Sequence, residues 1–187
     1  MIVIFGKTRS GKDTIARYLK KKLGYKFIVS YTDRPIRPTE QNGREHFFVS
    51  EEEMNKLYTS SDTIVKTHIV DPILSLKNKS YKGYRYCTKT EDITDNSIAV
   101  LDYNGIVELS KCNIKFTTIF VTSPFDTRKG RAMNTGIAVE DFEKRCRDEY
   151  AQFADGVQDC ADFVIDNSGT LEELYSKVDK VIEYIRG

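Results

Sequence analysis

Apolar positions along the chain follow two rhythms. Met1-Ile-Val-Ile-Phe5 is a continuous apolar run, the pattern of a parallel strand buried on both faces. Lys12 to Leu23 has helical spacing: Ile15, Leu19 and Leu23 share one face, and Gly24 stops the helix. Short apolar runs recur at Lys26–Ser30, Ser97–Leu101, Phe116–Val121 and Phe163–Ile165, with helical patterns between them, so the chain predicts a doubly wound α/β sheet. Ser50-Glu-Glu-Glu53 and Thr170-Leu-Glu-Glu173 predict capping boxes. Ser123-Pro124 predicts a serine N-cap before a first-turn proline. Leu171, Leu174, Val178, Val181 and Ile185 form the apolar stripe of a last helix. From Tyr31 to Thr88 the texture changes, with alternating pieces at Thr63–Ile69 and Tyr84–Thr88, which predicts a small mixed insertion.

Composition narrows the classes. At 187 residues the chain is the size of one domain. Its net charge of +1 argues against a non-specific nucleic-acid binder. No apolar run approaches the roughly eighteen residues of a membrane span. The first strand leads straight into a glycine-rich loop, so no secretory leader is expected. Cys87, Cys112, Cys146 and Cys160 are scattered and the only histidines are His46 and His68, which predicts no zinc site. Reduced thiols in a cytoplasmic protein are the expectation.

Two stretches carry chemistry. Gly6 to Thr14 reads GKTRSGKDT and follows a buried strand while opening a helix, the context of a phosphate-binding P-loop. Gly6 and Gly11 permit the backbone to point successive N–H groups, with that of Ser10 among them, into one concavity, and Lys12 brings a cation to terminal phosphates. The position that normally holds a hydroxyl facing magnesium is Asp13, with Thr14 one step later, so either Asp13 or Thr14 is the expected metal-facing residue. In the second stretch, Arg34 and Arg37 flank Pro35, and arginine's rigid fork suits a dianionic phosphate.

Ser30-Tyr-Thr32-Asp-Arg34-Pro-Ile-Arg37 followed by Gly43-Arg-Glu-His46-Phe-Phe48-Val49-Ser50 resembles the GMP-binding segment of guanylate kinases. Gly83-Tyr-Arg-Tyr86-Cys-Thr88, Val100-Leu-Asp102, the lid-like stretch Asp126 to Arg145 and Phe163-Val-Ile-Asp166-Asn167 extend the resemblance. The Ser-Gly-Lys-Asp-Thr segment is also similar to the P-loop of phage deoxynucleoside monophosphate kinases. The resemblance implies a five-stranded parallel P-loop sheet flanked by helices, with a small mixed NMP-binding subdomain and a lid. One domain over 1–187 would comprise a core at 1–30, 97–123 and 140–187, an insertion at about 31–90 and a lid at about 124–139. It implies phosphorylation of a nucleoside monophosphate, GMP or dGMP first, by ATP with Mg2+, in a monomer or homodimer. Ser30, Arg34, Arg37, His46, Tyr86, Thr88 and Asp102 would bind the acceptor. Gly6, Ser10, Gly11, Lys12, Asp13, Thr14 and Asn167 would bind ATP, with Asn167 near the adenine. Arg128, Lys129, Arg131 and Arg145 would clamp phosphates. The chain departs from the pattern in three places. His46 replaces a tyrosine and brings a charge expected to depend on pH. Val65 lies where the family has a base-reading acid, and Asn104 where it has a second aspartate. The alternatives are a kinase of different or broad base specificity and a non-catalytic binding domain.

Overall fold

The computed structural model describes all of the chain except residues 38, 39, 71, 151, 154, 155 and 187. In chain order the elements begin with β1 (Ile2–Phe5), α1 (Lys12–Leu23), β2 (Lys26–Phe27), β3 (Ser30–Thr32), β4 (His46–Phe48) and α2 (Glu51–Thr59). Next come β5 (Thr63–Ile69), α3 (Pro72–Lys77), β6 (Tyr84–Lys89), β7 (Ser97–Val100), α4 (Tyr103–Ser110) and β8 (Thr117–Thr122). The chain closes with α5 (Phe125–Met133), α6 (Val139–Glu149), β9 (Phe163–Asp166) and α7 (Leu171–Arg186). Two compact units result: Met1–Phe27, Asn96–Tyr103 and Phe116–Gly187 form one, Ile28–Asp95 and Asn104–Lys115 the other.

The first unit is built on a five-stranded parallel sheet in the order β2-β7-β1-β8-β9. All four residues of the central β1 are buried, which is why its sequence carries no polar alternation. Ile15, Ala16 and Leu19 of α1 and Leu174, Val178, Val181 and Ile182 of α7 join the strand residues in one core. Gly24 ends α1 in the left-handed region, its N–H donating to the Lys20 carbonyl. The α7 stripe is rotated from the predicted one: Leu171 is about half exposed, Ile182 is buried and Ile185 packs at the edge. The Thr170 box forms as predicted, with Glu173 N donating to Thr170 Oγ1 and Thr170 N to the Glu173 carboxylate.

Two expectations fail locally. The Lys26–Ser30 run is divided, since Lys26–Phe27 pairs with β7 while Ser30 starts β3 in the other sheet. Ser123 caps no helix. Pro124 is the residue before α5, and the Ser123 hydroxyl instead donates to the Asn167 carbonyl at 3.0 Å. A buried hydroxyl takes an acceptor within reach, and here that acceptor comes from another strand end.

The second unit holds a four-stranded mixed sheet in the order β4-β3-β6-β5. Its helix α2 starts with the predicted Ser50–Glu53 capping box and buries Met54 against Cys87 of β6. Lys66 Nζ donates to the carbonyls of Tyr58 and Ser60 at the end of that helix, where a cation is favoured. The unit is wider than the predicted insertion, taking in Ile28 and most of α4.

Candidate functional site

In the first unit the chain leaves β1 at its C-terminal end and turns through the glycine loop into α1. Gly6 and Gly11 have φ of +145° and +105°. A Cβ on Gly6 would strike the Val121 carbonyl oxygen, and one on Gly11 the Asn167 amide, so both conformation and space demand glycine. Arg9 is also left-handed at φ +60°. Ser10 is fully buried and its hydroxyl has no hydrogen-bond partner. Lys12 Nζ folds back to donate to Gly6 O at 2.7 Å and Lys7 O at 3.0 Å. Burial pushes its ammonium below the usual lysine range, against the attraction of Glu149 and Asp13. Asp13 is exposed in the first turn of α1, while the Thr14 hydroxyl accepts a 3.4 Å bond from Arg17.

Three further elements of the same unit meet this loop: α5, the end of β9 and α6. Arg128, buried on α5, donates to Ser123 O and Thr8 O, both at 3.2 Å. Arg131, one turn on, donates to Asn167 O at 2.9 Å and, at 3.4 Å, to Arg9 O and Ser10 O. Burial lowers its pKa. The buried Asn167, just past β9, donates from Nδ2 to Ser10 O at 2.7 Å. Its amide therefore braces the loop. Lys129 is turned to α6, paired with Glu143 at 3.0 Å, and is not brought to the loop. Arg145 is half-buried on α6 beside Glu149. Glu149 itself escaped the sequence analysis: its Oε2 accepts from Thr8 N at 2.7 Å. An acid on the last turn of a helix, four residues after a functional arginine, is the signal that could have found it, because the dipole disfavours a carboxylate there.

The second unit presents a different set. The register pairs Ser30 with His46, Thr32 with Phe48 and Thr32 with Tyr86. Side chains alternate along a strand, so Ser30, His46, Phe48, Tyr86 and Thr88 share one face. Ser30 Oγ lies 2.8 Å from His46 Nδ1, and the His46 ring meets Tyr86 edge-on. Burial, assisted by Arg34 and Arg37, pushes the imidazole down to about 4, so His46 is neutral across physiological pH. The pH-dependent charge expected of this residue is thereby moved below physiological pH, because leaving water and facing guanidinium groups both disfavour the imidazolium. Arg34 is buried and lies over the Phe48 ring. Its NH1 and NH2 each reach Glu40 at 2.7 Å, and its Nε has no hydrogen-bond partner. Against the upward push of burial, bonds from Arg34 and the Arg37 backbone hold the Glu40 carboxyl at about 2. The Arg37 side chain is half exposed and 3.7 Å from Glu40. Buried Val65 takes φ +52° at a bulge in β5, an uncommon conformation for a β-branched residue. Asp102 belongs to the first unit, half-buried after β7, and Asn104 is exposed in the first turn of α4.

The profile of the family described as Guanylate kinase matches residues 1–185. A guanylate kinase of Chlamydia trachomatis is 25% identical over 175 residues, covering 89% of this chain and 79% of that protein. A dephospho-CoA kinase of Aquifex aeolicus is 34% identical over 94 residues, only 50% of this chain and 47% of that protein. The crystal structure of guanylate kinase from Anaplasma phagocytophilum shares the fold with a TM-score of 0.62 at 16% identity, covering 100% of this chain and 84% of that one.

Proposed function

Because this chain belongs to the guanylate kinase family and is a nucleoside monophosphate kinase, we propose that it transfers the terminal phosphoryl group of ATP to GMP or dGMP. The observation that supports this reading is a pair of separately built clusters of cationic and hydrogen-bonding groups, a glycine loop with Lys12, Arg128 and Arg131, and a sheet face with His46 and Tyr86 beside Arg34. Phosphoryl transfer asks little covalent chemistry of a protein; it asks for two aligned phosphates and neutralised charge. The loop N–H groups, the orphan Ser10 hydroxyl and Lys12 fit a chain of donor phosphates. Arg128, Arg131 and Arg145 would offset the charge of the transferring group. Ser30, Arg34, Arg37, His46, Tyr86 and Thr88 would hold the acceptor, with Arg34 offering its unpaired Nε, and the family resemblance adds Asp102 to the acceptor-binding residues. Neutral His46 would act as a hydrogen-bonding group. Asn167 would act through the loop it braces, in place of an adenine contact.

Magnesium suits the donor set. Asp13 offers an exposed hard oxygen in the first turn after the loop, the ligand chemistry this ion takes beside phosphate. Asp13 would hold it, directly or through water, with Thr14 as the competing assignment. When bound, the ion would supply charge neutralisation at the donor phosphates.

A second reading concerns the base. A guanine edge needs acceptors for its N–H groups, and Val65 is buried where the family has an acid. A kinase of broader or different base preference follows from that residue. A coupled ADP-release assay with each common ribo- and deoxynucleoside monophosphate tests both readings. Turnover with GMP or dGMP supports the first; preference for another base supports the second; no turnover with any acceptor sinks the kinase assignment.

A further inference from the structure

Glu149 does in this structure what a phosphate oxygen does in a glycine loop. Its carboxylate accepts the Thr8 N–H at 2.7 Å, while the Thr8 carbonyl accepts from Arg128. Lys12, Arg128 and Arg145 are the cations around it. Burial pushes its carboxyl up from the ordinary range, against the Thr8 bond and those three charges. The residue stands at the last position of α6, where the helix dipole also disfavours an acid. Two costs at one position need a compensating partner, and the loop supplies it. Glu149 also borders a cavity of about 650 Å³ lined by Lys7, Phe125, Arg128, Cys146 and Tyr150, so the side chain has somewhere to go when released.

We propose that Glu149 is an internal competitor for the terminal phosphate of the donor nucleotide, seated on the Thr8 N–H until a polyphosphate displaces it. The proposal rests on the loop being the donor site. Displacement favours a ligand that replaces one acceptor by several. A chain of phosphates gains contacts along the whole loop, whereas a lone inorganic phosphate exchanges one anion for another. Glu149 thereby sets a threshold that a polyphosphate clears through its added contacts.

Calorimetric titration of the full chain with tripolyphosphate, ADP and inorganic phosphate tests this. Glu149→Gln removes the charge and keeps the size; it should bind tripolyphosphate about tenfold more tightly than the parent, the weight of one charge-assisted bond. Inorganic phosphate, displacing the same carboxylate, should gain by a similar factor. Glu143→Gln, on the same helix and paired with Lys129, should bind like the parent. A residue that merely braces the loop predicts the opposite sign, so weaker or unchanged binding in Glu149→Gln overturns the inference while leaving the donor site standing. Failure of the parent to bind tripolyphosphate and ADP overturns both. Should the glutamine variant not fold, Glu149→Asp, which withdraws the carboxylate by one methylene, should also bind more tightly, and equal binding there counts against the proposal.

Discussion

Arg34 and Glu40 meet through two parallel bonds in a buried setting, and a charge so placed is costly once its partner is gone. Glu40→Ala should therefore destabilise the fold by about 3 kcal/mol, the range for breaking a buried ion pair, as read by urea unfolding. The same pair sets an acid limit. The Glu40 carboxyl is held at about 2 in the folded chain against 4.5 ordinarily, so its contribution is complete above pH 4.5 and is lost as pH falls toward 2. His46 acts in a higher window: with its folded pKa at about 4, the unfolded chain takes up the proton first, and stability falls as pH drops from 6.5 to 4. His46→Gln should flatten the stability profile between pH 4 and 6.5, and an unchanged slope there would refute the burial argument. At the loop, Lys12→Ala should abolish turnover with the fold intact, checked by circular dichroism beside the coupled assay. Asp13→Ala should raise the magnesium requirement while Asp13→Ser stays active. If Thr14→Ala shifts the magnesium titration and Asp13→Ala does not, the metal faces Thr14.

At the scale of elements, the loop is held from outside more than from within. Strand β9 delivers Asn167 to the Ser10 carbonyl, α5 delivers Arg128 and Arg131 to loop carbonyls, and α6 delivers Glu149 to Thr8. Asn167→Ala removes the donor to Ser10 O and leaves that buried carbonyl with only the 3.4 Å bond from Arg131. An ATP KM raised about tenfold with little change in the KM for the acceptor is the expected result, the effect of roughly one lost buried hydrogen bond. Equal losses for both substrates would point to general loosening of the fold. The elements themselves were largely readable in advance. α1 starts at Lys12 and stops at Gly24 because a left-handed glycine follows an amphipathic run, and the two capping boxes close as their spacing requires. Ser123 was misread because a local cap motif cannot reveal a competing carbonyl forty-four residues away.

At the scale of the whole molecule, the proposed base preference turns on Val65, which is buried on the β5 bulge of the second unit. Discrimination of GMP over AMP, CMP and dTMP should fall short of several orders of magnitude in kcat/KM; a larger ratio would require acceptors other than the two family positions. The sequence by itself determined the α/β class, the central buried strand and the glycine loop, because strand burial, helix period and loop glycines are local constraints written in consecutive residues. Only the tertiary structure decided their partners. That Arg34 is held by Glu40, that His46 is neutral, that Asn167 braces the loop and that Glu149 accepts the Thr8 N–H all depend on burial and on side-chain contacts that only the fold creates. Those energies arise from desolvation and pairing, which no spacing along the sequence encodes.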